Sequence, residues 1–235
     1  MPVILGVVPA RGGSRGIPHK NLAPLLGRPL LAYTAVAAKQ SKTLTRTVLS
    51  TDDTKIASVG EELGLEVPYL RPPELASDES PMLGVLQHLL RHLEQHEGFR
   101  PEAVALLQPT SPLRRAEHID EAVALLLKTN ADSVVSVIPA PHNFNPVSLM
   151  RIEGKRLVPY AKGPLILRRQ DKPKIYARNG PAVLVTRSKI LIKGSLYGNH
   201  CEPYLMKEED SIDIDTPLDL EIAEFLLRRR QQIGN

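Results

Sequence analysis

The sequence has few of the residues that characterise several large protein classes. It contains one cysteine, no tryptophan and only 4% aromatic residues. The lone Cys201 excludes a disulfide within the chain and suits a reducing compartment. Scarce aromatic side chains leave little for base stacking, so we do not expect a nucleic-acid partner.

Long apolar runs and long basic blocks are missing as well. No apolar stretch approaches the ~20 residues of a membrane-spanning helix, and no apolar secretion signal follows a basic N-terminal segment. A formal net charge of +4 over 235 residues is mild and suits a small anionic ligand. We therefore expect a soluble, cytoplasmic protein without a membrane partner.

An alternation of strand-like and helix-like segments predicts the fold class. Apolar strand patterns cover residues 3–8, 46–51, 65–70, 103–107 and 133–138, and helical patterns cover 29–41, 54–63, 82–97 and 116–128. Such alternation is typical of an α/β fold with a mostly parallel sheet and helices on both faces. Further strands are predicted at 182–186 and 211–214, before a last helix that Thr216 caps and that runs to about Arg230. We expect residues 1–235 to form a single domain.

Residues 139–180 interrupt this alternation. They contain six prolines, and a hairpin is predicted from strands at 148–152 and 156–159 across a turn at Glu153-Gly154. We interpret the segment as a protruding excursion from the main sheet that serves as a dimerisation arm or a lid.

A glycine-rich basic loop follows the first strand. Residues 3–21 read VILGVVPARGGSRGIPHKN, and the loop contains Arg11, Gly12, Gly13, Arg15, Gly16 and Lys20. Glycines let main-chain N–H groups approach a ligand, and the basic residues supply charge for a polyanion. The spacing matches neither a Walker loop nor a dinucleotide fingerprint. Because ligands bind at the carboxyl ends of strands in such sheets, the loop predicts triphosphate binding, with a merely solvated loop as the alternative.

Two aspartates near the C-terminus point to a metal. On a strand, side chains alternate between the two faces, so Asp213 and Asp215 project together while Ile212 and Ile214 face the core. Neighbouring carboxylates repel each other unless a cation lies between them. Hard oxygen ligands suit Mg²⁺, which binds through one or two carboxylates and substrate phosphates. The alternative is that Asp215 only favours the positive end of the last helix.

Polar residues after other strands are weaker signals. Gln108 could recognise polar ligand groups, and Arg114 could meet a carboxylate or a phosphate. Asp52 is predicted to cap the helix that follows it.

Six segments in order along the chain resemble the acylneuraminate cytidylyltransferase family. They are PARGGSRGIPHKN (9–21), STD (50–52), LRPPELASD (70–78), LLQPTSPLR (106–114), RNG (178–180) and DSIDIDTPLDL (210–220). The resemblance implies a Rossmann-like nucleotide-diphospho-sugar transferase fold with a protruding dimerisation subdomain. It also implies a homodimer that uses Mg²⁺ to convert CTP and a nonulosonic acid into a CMP-sugar and pyrophosphate.

The resemblance also assigns residues. It implies catalytic roles for Arg11, Lys20, Asp213 and Asp215, of which Asp213 and Asp215 bind the metal. The nucleotide-binding residues would be Arg11, Gly12, Gly13, Ser14, Lys20, Asn21, Arg71 and Ser80. The sugar-binding residues would be Gln108, Arg169, Asn179 and Tyr197.

The chain departs from the family pattern at two places, and several questions stay open. Leu196 and Tyr197 stand where some members have neighbouring aromatics. Ala177 stands where some members have an arginine, and Arg178 adjoins Asn179 instead. The roles of Arg178 and Arg15, the general base, the number of metal ions and the particular nonulosonic acid are open. Two alternative functions are activation of 3-deoxy-octulosonic acid with CTP and non-catalytic sensing of CTP.

Overall fold

A computed structural model describes residues 2–14, 16–163, 166 and 168–233. Arg15 and part of the predicted excursion, residues 164, 165 and 167, therefore lie outside the described residues. Within this description, no helix is both long enough and apolar enough to cross a bilayer.

Six α-helices are present in the described chain, and five of them were predicted. Their bounds are α1 Leu30–Gln40, α2 Thr54–Glu62, α3 Met82–Glu97, α4 Ala116–Thr129, α5 Ser188–Ile192 and α6 Pro217–Ile233. Thr216 caps α6 as predicted, because its hydroxyl accepts from the Asp219 main-chain N–H at 3.4 Å while the Asp219 carboxylate accepts from the Thr216 N–H at 2.7 Å. Short 3₁₀ helices occur at Lys20–Leu22, Pro73–Leu75, His142–Phe144, Arg169–Asp171 and Glu208–Asp210.

The described strands form one large sheet and two small ribbons. Their bounds are β1 Ile4–Pro9, β2 Pro24–Leu25, β3 Arg28–Pro29, β4 Arg46–Ser50, β5 Ala103–Leu106, β6 Ser133–Pro139, β7 Met150–Glu153, β8 Arg156–Pro159, β9 Tyr176–Arg178, β10 Leu184–Arg187 and β11 Cys201–Leu205. The large sheet has the order β11-β6-β10-β5-β1-β4, and β9 pairs with β6.

Five strands of the large sheet run in the same direction. β1 is parallel to β4 and β5, and β11 is parallel to β6, whereas β10 is antiparallel to both β5 and β6. β9 also runs antiparallel to β6. The mostly parallel sheet is thus confirmed, with an antiparallel element that the sequence pattern did not predict.

Helices cover both faces of this sheet, as predicted. Ile4 and Val8 of β1 belong to a core shared with Leu31 of α1 and Ile119 of α4. The intervening β1 residues, such as Leu5, face a second core built on α3 and α5. Because successive strand residues point to opposite faces, a fully apolar β1 is what a sheet buried on both sides requires.

Two predicted strands are wrong. Residues 65–70 make only isolated bridges from Glu66 to Val48 and from Leu70 to Thr51. Residues 211–215 are extended but unpaired within a sheet, and Ile214 N–H donates to the Thr110 carbonyl at 2.8 Å. Alternation of apolar and polar residues indicates an extended chain with one side buried. Such a chain need not pair with another strand.

The predicted hairpin is confirmed, as β7 and β8 form an antiparallel ribbon of their own. The chain leaves the large sheet after β6 and returns in β9, which pairs with the end of the same β6 strand. Exposed apolar side chains occur along this excursion: Phe144, Met150, Ile152, Leu157, Tyr160 and Tyr176. Its role as a dimerisation arm stays a prediction.

Candidate active site

Two neighbouring cavities lie at the carboxyl ends of β1 and β5. The first has a volume of about 310 Å³. Its lining residues are Pro9, Arg11, Gly13, Ser14, Gly16, Lys20, Asn21, Arg71, Met82, Gln108, Pro109, Thr110 and Asp215. This is the edge of the sheet where a ligand was expected.

Hydrogen bonds inside the glycine-rich loop fix its path around the first cavity. Asn21 Nδ2 donates to the Arg11 carbonyl at 2.9 Å, and the Lys20 N–H donates to Ser14 Oγ at 3.2 Å. The Gly12 N–H donates to Asp52 Oδ1 at 3.0 Å. The loop is therefore held from both ends and from the neighbouring strand.

The predicted cap role of Asp52 is wrong. Asp53 caps α2 instead, since its Oδ1 accepts from the main-chain N–H groups of Lys55 at 2.7 Å and Ile56 at 3.0 Å. The Asp52 carboxylate, one residue earlier, reaches across to the glycine-rich loop. Sequence spacing does not distinguish two adjacent aspartates at a strand end, because either could occupy the cap position.

Close packing at Gly16 joins the glycine-rich loop to the aspartate segment, residues 211–215, which contains Asp213 and Asp215. A Cβ added to Gly16 would lie 2.2 Å from the main-chain oxygen of Asp215, a distance that atoms cannot adopt. A Cβ on Gly13, by contrast, would meet nothing within 4 Å. Gly16 is thus required by its contact with another part of the chain, and Gly12 is similarly restricted, since its Cβ would lie 2.7 Å from Asp53 Oδ2.

Both described cations of the glycine-rich loop are paired with carboxylates. Lys20 Nζ donates to Asp215 Oδ1 at 3.0 Å and to the Ile214 carbonyl at 2.8 Å. Arg11 forms an ion pair with Asp78, in the loop before α3. An ammonium group has three N–H donors, so Lys20 retains one for a phosphate oxygen.

Arg71 contributes a third positive charge to the wall of the first cavity. It is only 5% exposed, and its Nε donates to Ser50 Oγ at 3.1 Å. Burial lowers its pKa, and the charge of Asp52 partly offsets that effect. A guanidinium held in this way is fixed in place before a ligand arrives.

The second cavity has a volume of about 570 Å³ and shares Met82 and Gln108 with the first. Its other lining residues are Leu106, Arg178, Gly180, Pro181, Leu184, Leu196, Tyr197 and Asp213. Gln108 Nε2 donates to the Gly180 carbonyl at 3.0 Å, which fixes the amide between the two cavities.

The two aspartates lie one in each cavity. Asp215 lines the first and Asp213 lines the second, while Ile212 and Ile214 pack into a core beside α6. Burial raises the pKa of Asp213, and the negative charge of Asp215 adds to this rise, whereas Thr110 and the positive charge of Lys20 offset part of it. The predicted alternation is confirmed, and each carboxylate lines one of two cavities that share Met82 and Gln108.

A profile of the family described as Cytidylyltransferase matches residues 5–232. The chain belongs to the cytidylyltransferase family.

Relatives of this cytidylyltransferase are named for N,N'-diacetyllegionaminic acid or for N-acylneuraminate. CMP-N,N'-diacetyllegionaminic acid synthase of Legionella pneumophila is 38% identical over 97% of this chain and 98% of its own length. The Campylobacter jejuni protein of the same name is 32% identical over 97% of this chain and 96% of its own length. N-acylneuraminate cytidylyltransferase of Escherichia coli is 30% identical over 97% of this chain but only 53% of its own length.

A solved structure supports the fold assignment. CMP:2-keto-3-deoxy-manno-octonic acid synthetase complexed with CTP superposes with a TM-score of 0.72, covers 97% of this chain and 99% of that one, and is 15% identical. At that identity the likeness concerns the fold alone.

The site of this cytidylyltransferase fits a hard divalent cation shared with a substrate. Asp213 and Asp215 offer only oxygen ligands. In the described part of the chain, no group of three or more His, Cys, Asp and Glu side chains could hold a metal by itself. In proteins Mg²⁺ usually binds one or two carboxylates, and substrate phosphates and water fill its remaining coordination positions. The aspartate pair fits this pattern.

Four residues predicted to bind ligands lie outside the cavity walls: Ser80, Arg169, Gly12 and Asn179. Ser80 contacts Ser77 and the Glu74 carbonyl in the loop before α3. Arg169 lies on an exposed 3₁₀ turn of the excursion. Gly12 donates its N–H to Asp52 and does not line the first cavity. Their ligand contacts stay predictions.

Asn179 is buried behind the second cavity and is 4% exposed. Its Nδ2 donates to Ser211 Oγ at 2.8 Å, and its Oδ1 accepts from Ser136 Oγ at 2.6 Å. These bonds fix the loop between β9 and β10 to β6 and to the aspartate segment. In the described structure Asn179 thus positions Gly180 and Pro181, which line the cavity.

Arg114 does not face a ligand, so that suggestion is wrong. It is 3% exposed, and its Nη1 donates to the carbonyls of Gln108 at 2.9 Å and Ala182 at 2.8 Å. Burial lowers its pKa to about 9. The arginine braces the loop that presents Gln108.

Sequence reasoning missed Asp52, Asp78 and Met82 as parts of the site. Asp52 and Asp78 contact loop residues that are distant in sequence, and Met82 is the first residue of α3. No local pattern marks such contacts. The sequence did contain a signal for Arg178, since its displacement next to Asn179 departs from the family pattern.

Proposed function

We propose that this cytidylyltransferase transfers CMP from CTP to the anomeric hydroxyl of a nonulosonic acid, with release of pyrophosphate. The observation that carries the proposal is the pair of joined cavities, with Asp215 in one, Asp213 in the other and Gln108 between them. A reaction that joins two substrates needs two adjoining compartments with the charge-stabilising groups at their junction.

The first cavity holds the nucleotide. Lys20 and Arg11 contact the triphosphate, and Gly13 and Ser14 bring the main chain close to it. Asn21 holds the loop in shape through the Arg11 carbonyl, while Arg71 adds positive charge beneath the ligand. Binding of the triphosphate replaces the Asp78 carboxylate as the partner of Arg11, which is an exchange of one charged partner for another.

The second cavity holds the acid, with its reacting hydroxyl at Gln108 and Asp213. Attack by the anomeric oxygen forms a bond to the α-phosphorus of CTP and breaks the bond between that phosphorus and the oxygen bridging to the β-phosphate. Pyrophosphate leaves with the electron pair, and the hydroxyl proton passes to an aspartate of the pair or to water.

Positive groups fixed in the first cavity stabilise the charge that develops on the phosphates. Lys20 is the best placed, because the Ile214 carbonyl and Asp215 already orient its ammonium group. Asp213 and Asp215 would hold Mg²⁺, which would supply further charge neutralisation to the phosphates. A charge already in position costs no reorganisation when the reaction occurs.

The acid belongs to the sialic-type class. The relatives named for N,N'-diacetyllegionaminic acid and for N-acylneuraminate support this class. N,N'-diacetyllegionaminic acid is the first substrate to test, since the 38% identical relative is named for it.

A homodimer is part of the proposal. The apolar side chains exposed along the excursion, among them Ile152 and Leu157 on the β7–β8 hairpin, would be covered by a second copy. Light scattering after size exclusion tests this. A dimer that becomes monomeric when Ile152 and Leu157 are changed to serine supports it, and a monomeric wild type contradicts it.

Activation of 3-deoxy-octulosonic acid is the second candidate reaction. The likeness to the synthetase of that sugar favours it, but that likeness is at 15% identity and concerns the fold. A pure CTP sensor is the third, and it would not need the aspartate pair at the junction.

The deciding experiment measures pyrophosphate release from CTP with Mg²⁺ and a panel of acids. The panel contains N,N'-diacetyllegionaminic acid, N-acetylneuraminic acid, its deaminated form, pseudaminic acid and 3-deoxy-octulosonic acid. Release with a nine-carbon acid supports the proposal. Preference for the eight-carbon acid supports the second reaction, and no release with any acid favours the sensor.

A further inference from the structure

Arg178 is the only cationic side chain that lines the second cavity, as far as the chain is described. The other charged lining residue is Asp213, and the remaining walls are apolar apart from Gln108 and Tyr197. A cavity that receives an acid needs a positive partner for the carboxylate, because an unpaired carboxylate loses its hydration on entry.

The Arg178 side chain contacts no carboxylate within the residues that the structure describes. Its Nη1 donates to the Tyr197 hydroxyl, and its guanidinium carbon lies 5.3 Å from the centre of the Tyr197 ring. A guanidinium has five N–H donors, so most of them stay available for a ligand.

Tyr197 holds the guanidinium in a defined position. Its own main chain is fixed, since the Ser133 hydroxyl donates to the Tyr197 carbonyl at 2.6 Å and the Tyr197 N–H donates to Ser195 Oγ at 3.2 Å. The Arg178 main chain is fixed by the pairing of β9 with β6, opposite Val137. An arginine ordered on an aromatic ring loses little side-chain entropy when it binds a planar carboxylate.

Arg178 lines the same cavity as Asp213. Gly180, two residues further on, packs against this aspartate, since a Cβ there would lie 3.3 Å from Asp213 Cγ. A ligand in the second cavity therefore has Arg178 and Asp213 on the walls that surround it.

We propose that Arg178, oriented by Tyr197, binds the carboxylate that the nonulosonic acid carries on its anomeric carbon. This inference rests on the proposed function, and it adds the residue that selects 2-keto acids over neutral sugars. In such acids the carboxylate and the reacting hydroxyl share one carbon, so both groups enter the same cavity, which Arg178 and Asp213 line together. Arg169, on an exposed turn of the excursion, does not line this cavity.

The test compares initial rates for wild type, Arg178→Gln, Arg178→Lys, Tyr197→Phe and the control Arg100→Gln. Arg100 is exposed, pairs with Glu94 and lines neither cavity. Loss of charge-assisted hydrogen bonds worth ~1.5–3 kcal/mol predicts a KM for the acid that is about 10- to 150-fold higher in Arg178→Gln, with the KM for CTP unchanged. Arg178→Lys recovers part of the loss, and Tyr197→Phe raises the same KM by a smaller factor.

The methyl ester of the accepted acid separates carboxylate binding from a general role in folding. In wild type, the KM for the ester should exceed the KM for the acid by about the factor by which Arg178→Gln raises the KM for the acid. In Arg178→Gln the two KM values should be alike. An unchanged KM for the acid in Arg178→Gln overturns the inference, and so does a variant that still discriminates against the ester. A rise in both KM values would instead indicate distortion of the whole site and would also contradict it.

Calorimetry keeps this test separate from the test of the proposed function. N,N'-diacetyllegionaminic acid and N-acetylneuraminic acid are titrated into each variant with a CTP analogue whose α,β-bridge is not cleavable. If wild type turns over no acid but binds one, and Arg178→Gln does not bind it, the transfer proposal fails and the assignment of Arg178 stands. If wild type binds neither acid, the assignment of Arg178 fails as well.

Discussion

Lys20 Nζ lies 3.0 Å from Asp215 Oδ1, although 195 positions separate the two residues in the chain. The contact joins the glycine-rich loop after β1 to the aspartate segment before α6. It places the ammonium group that we expect to bind phosphate beside a carboxylate that we expect to bind the metal. The same ammonium group also binds the Ile214 carbonyl at 2.8 Å, so its position does not depend on the ion pair alone.

Replacement of Lys20 should remove turnover while the fold persists. The Lys20→Ala variant leaves the developing phosphate charge without its nearest oriented cation, which predicts a kcat lower by about 10²- to 10³-fold. Pyrophosphate release measures the effect, and thermal unfolding checks the fold. Lys193→Ala, on the exposed surface after α5, is the matched control. Near-normal kcat in Lys20→Ala would refute this role.

Gly16 and Gly13 offer a paired test of loop packing. Gly16→Ala should lower the unfolding temperature and turnover, since its Cβ would collide with the Asp215 carbonyl at 2.2 Å. Gly13→Ala, which has open space around its Cβ, should unfold at the wild-type temperature. Differential scanning fluorimetry distinguishes the two. Equal unfolding temperatures for the variants would mean that the Gly16 contact does not constrain the loop.

The aspartate pair should act as a unit. Asp213→Asn and Asp215→Asn should each lower kcat by about 10²-fold or more and raise the Mg²⁺ concentration needed for half-maximal rate. The double variant should lose much less than the product of the single losses, because residues that hold one ion are not additive. Rates across a Mg²⁺ titration provide the measurement, with Glu221→Gln on the exposed side of α6 as control. Unaltered Mg²⁺ dependence in both single variants is the outcome that would contradict a metal role.

Asp120 should make stability depend on acid pH. Its Oδ1 accepts from Ser41 Oγ at 2.6 Å, Thr43 Oγ1 at 2.7 Å and the Lys42 N–H at 3.0 Å. Burial alone would raise the pKa of Asp120, but these hydrogen bonds hold it below the usual value. The stabilisation is therefore complete above the unfolded pKa of about 3.9 and is lost as the pH falls through the lower folded pKa.

Asp120→Ala should lower the free energy of unfolding by ~2–3 kcal/mol at pH 7. Urea denaturation of both proteins from pH 7 down to pH 2.5 measures this difference at each step. The difference should shrink toward the acid end, where wild type loses the same interaction by protonation. A difference that is constant with pH would show that the carboxylate charge does not matter.

Local patterns predicted the parts of this fold that are governed by local physics. The helical periods predicted α1 to α4 nearly to the residue and the start of α6, although α6 runs on past Arg230 to Ile233. The alternation in residues 211–215 placed Asp213 and Asp215 on one side of an extended chain. β10 could not be foreseen as antiparallel, since residues 182–186 have the same apolar composition in either direction.

The parts of the site that could not be predicted from the sequence depend on contacts between distant residues. The Asp52–Gly12 bond, the Arg11–Asp78 pair and the bracing of Gln108 by Arg114 each depend on the folded arrangement of loops. Arginine is expected to meet anions in a ligand site, yet Arg114 turned out to satisfy main-chain carbonyls. Sequence chemistry thus predicts which groups a site contains better than it predicts which partners they choose.

The most direct test of the account is the product itself. The protein is incubated with CTP, Mg²⁺ and N,N'-diacetyllegionaminic or N-acetylneuraminic acid, and the mixture is analysed by mass spectrometry and ³¹P NMR. The proposed reaction predicts equimolar formation of a CMP-sugar and pyrophosphate, with no CTP consumed when the acid is omitted. Unchanged CTP in the presence of every nine-carbon acid, or CTP hydrolysed to CMP and pyrophosphate without a sugar conjugate, would contradict it.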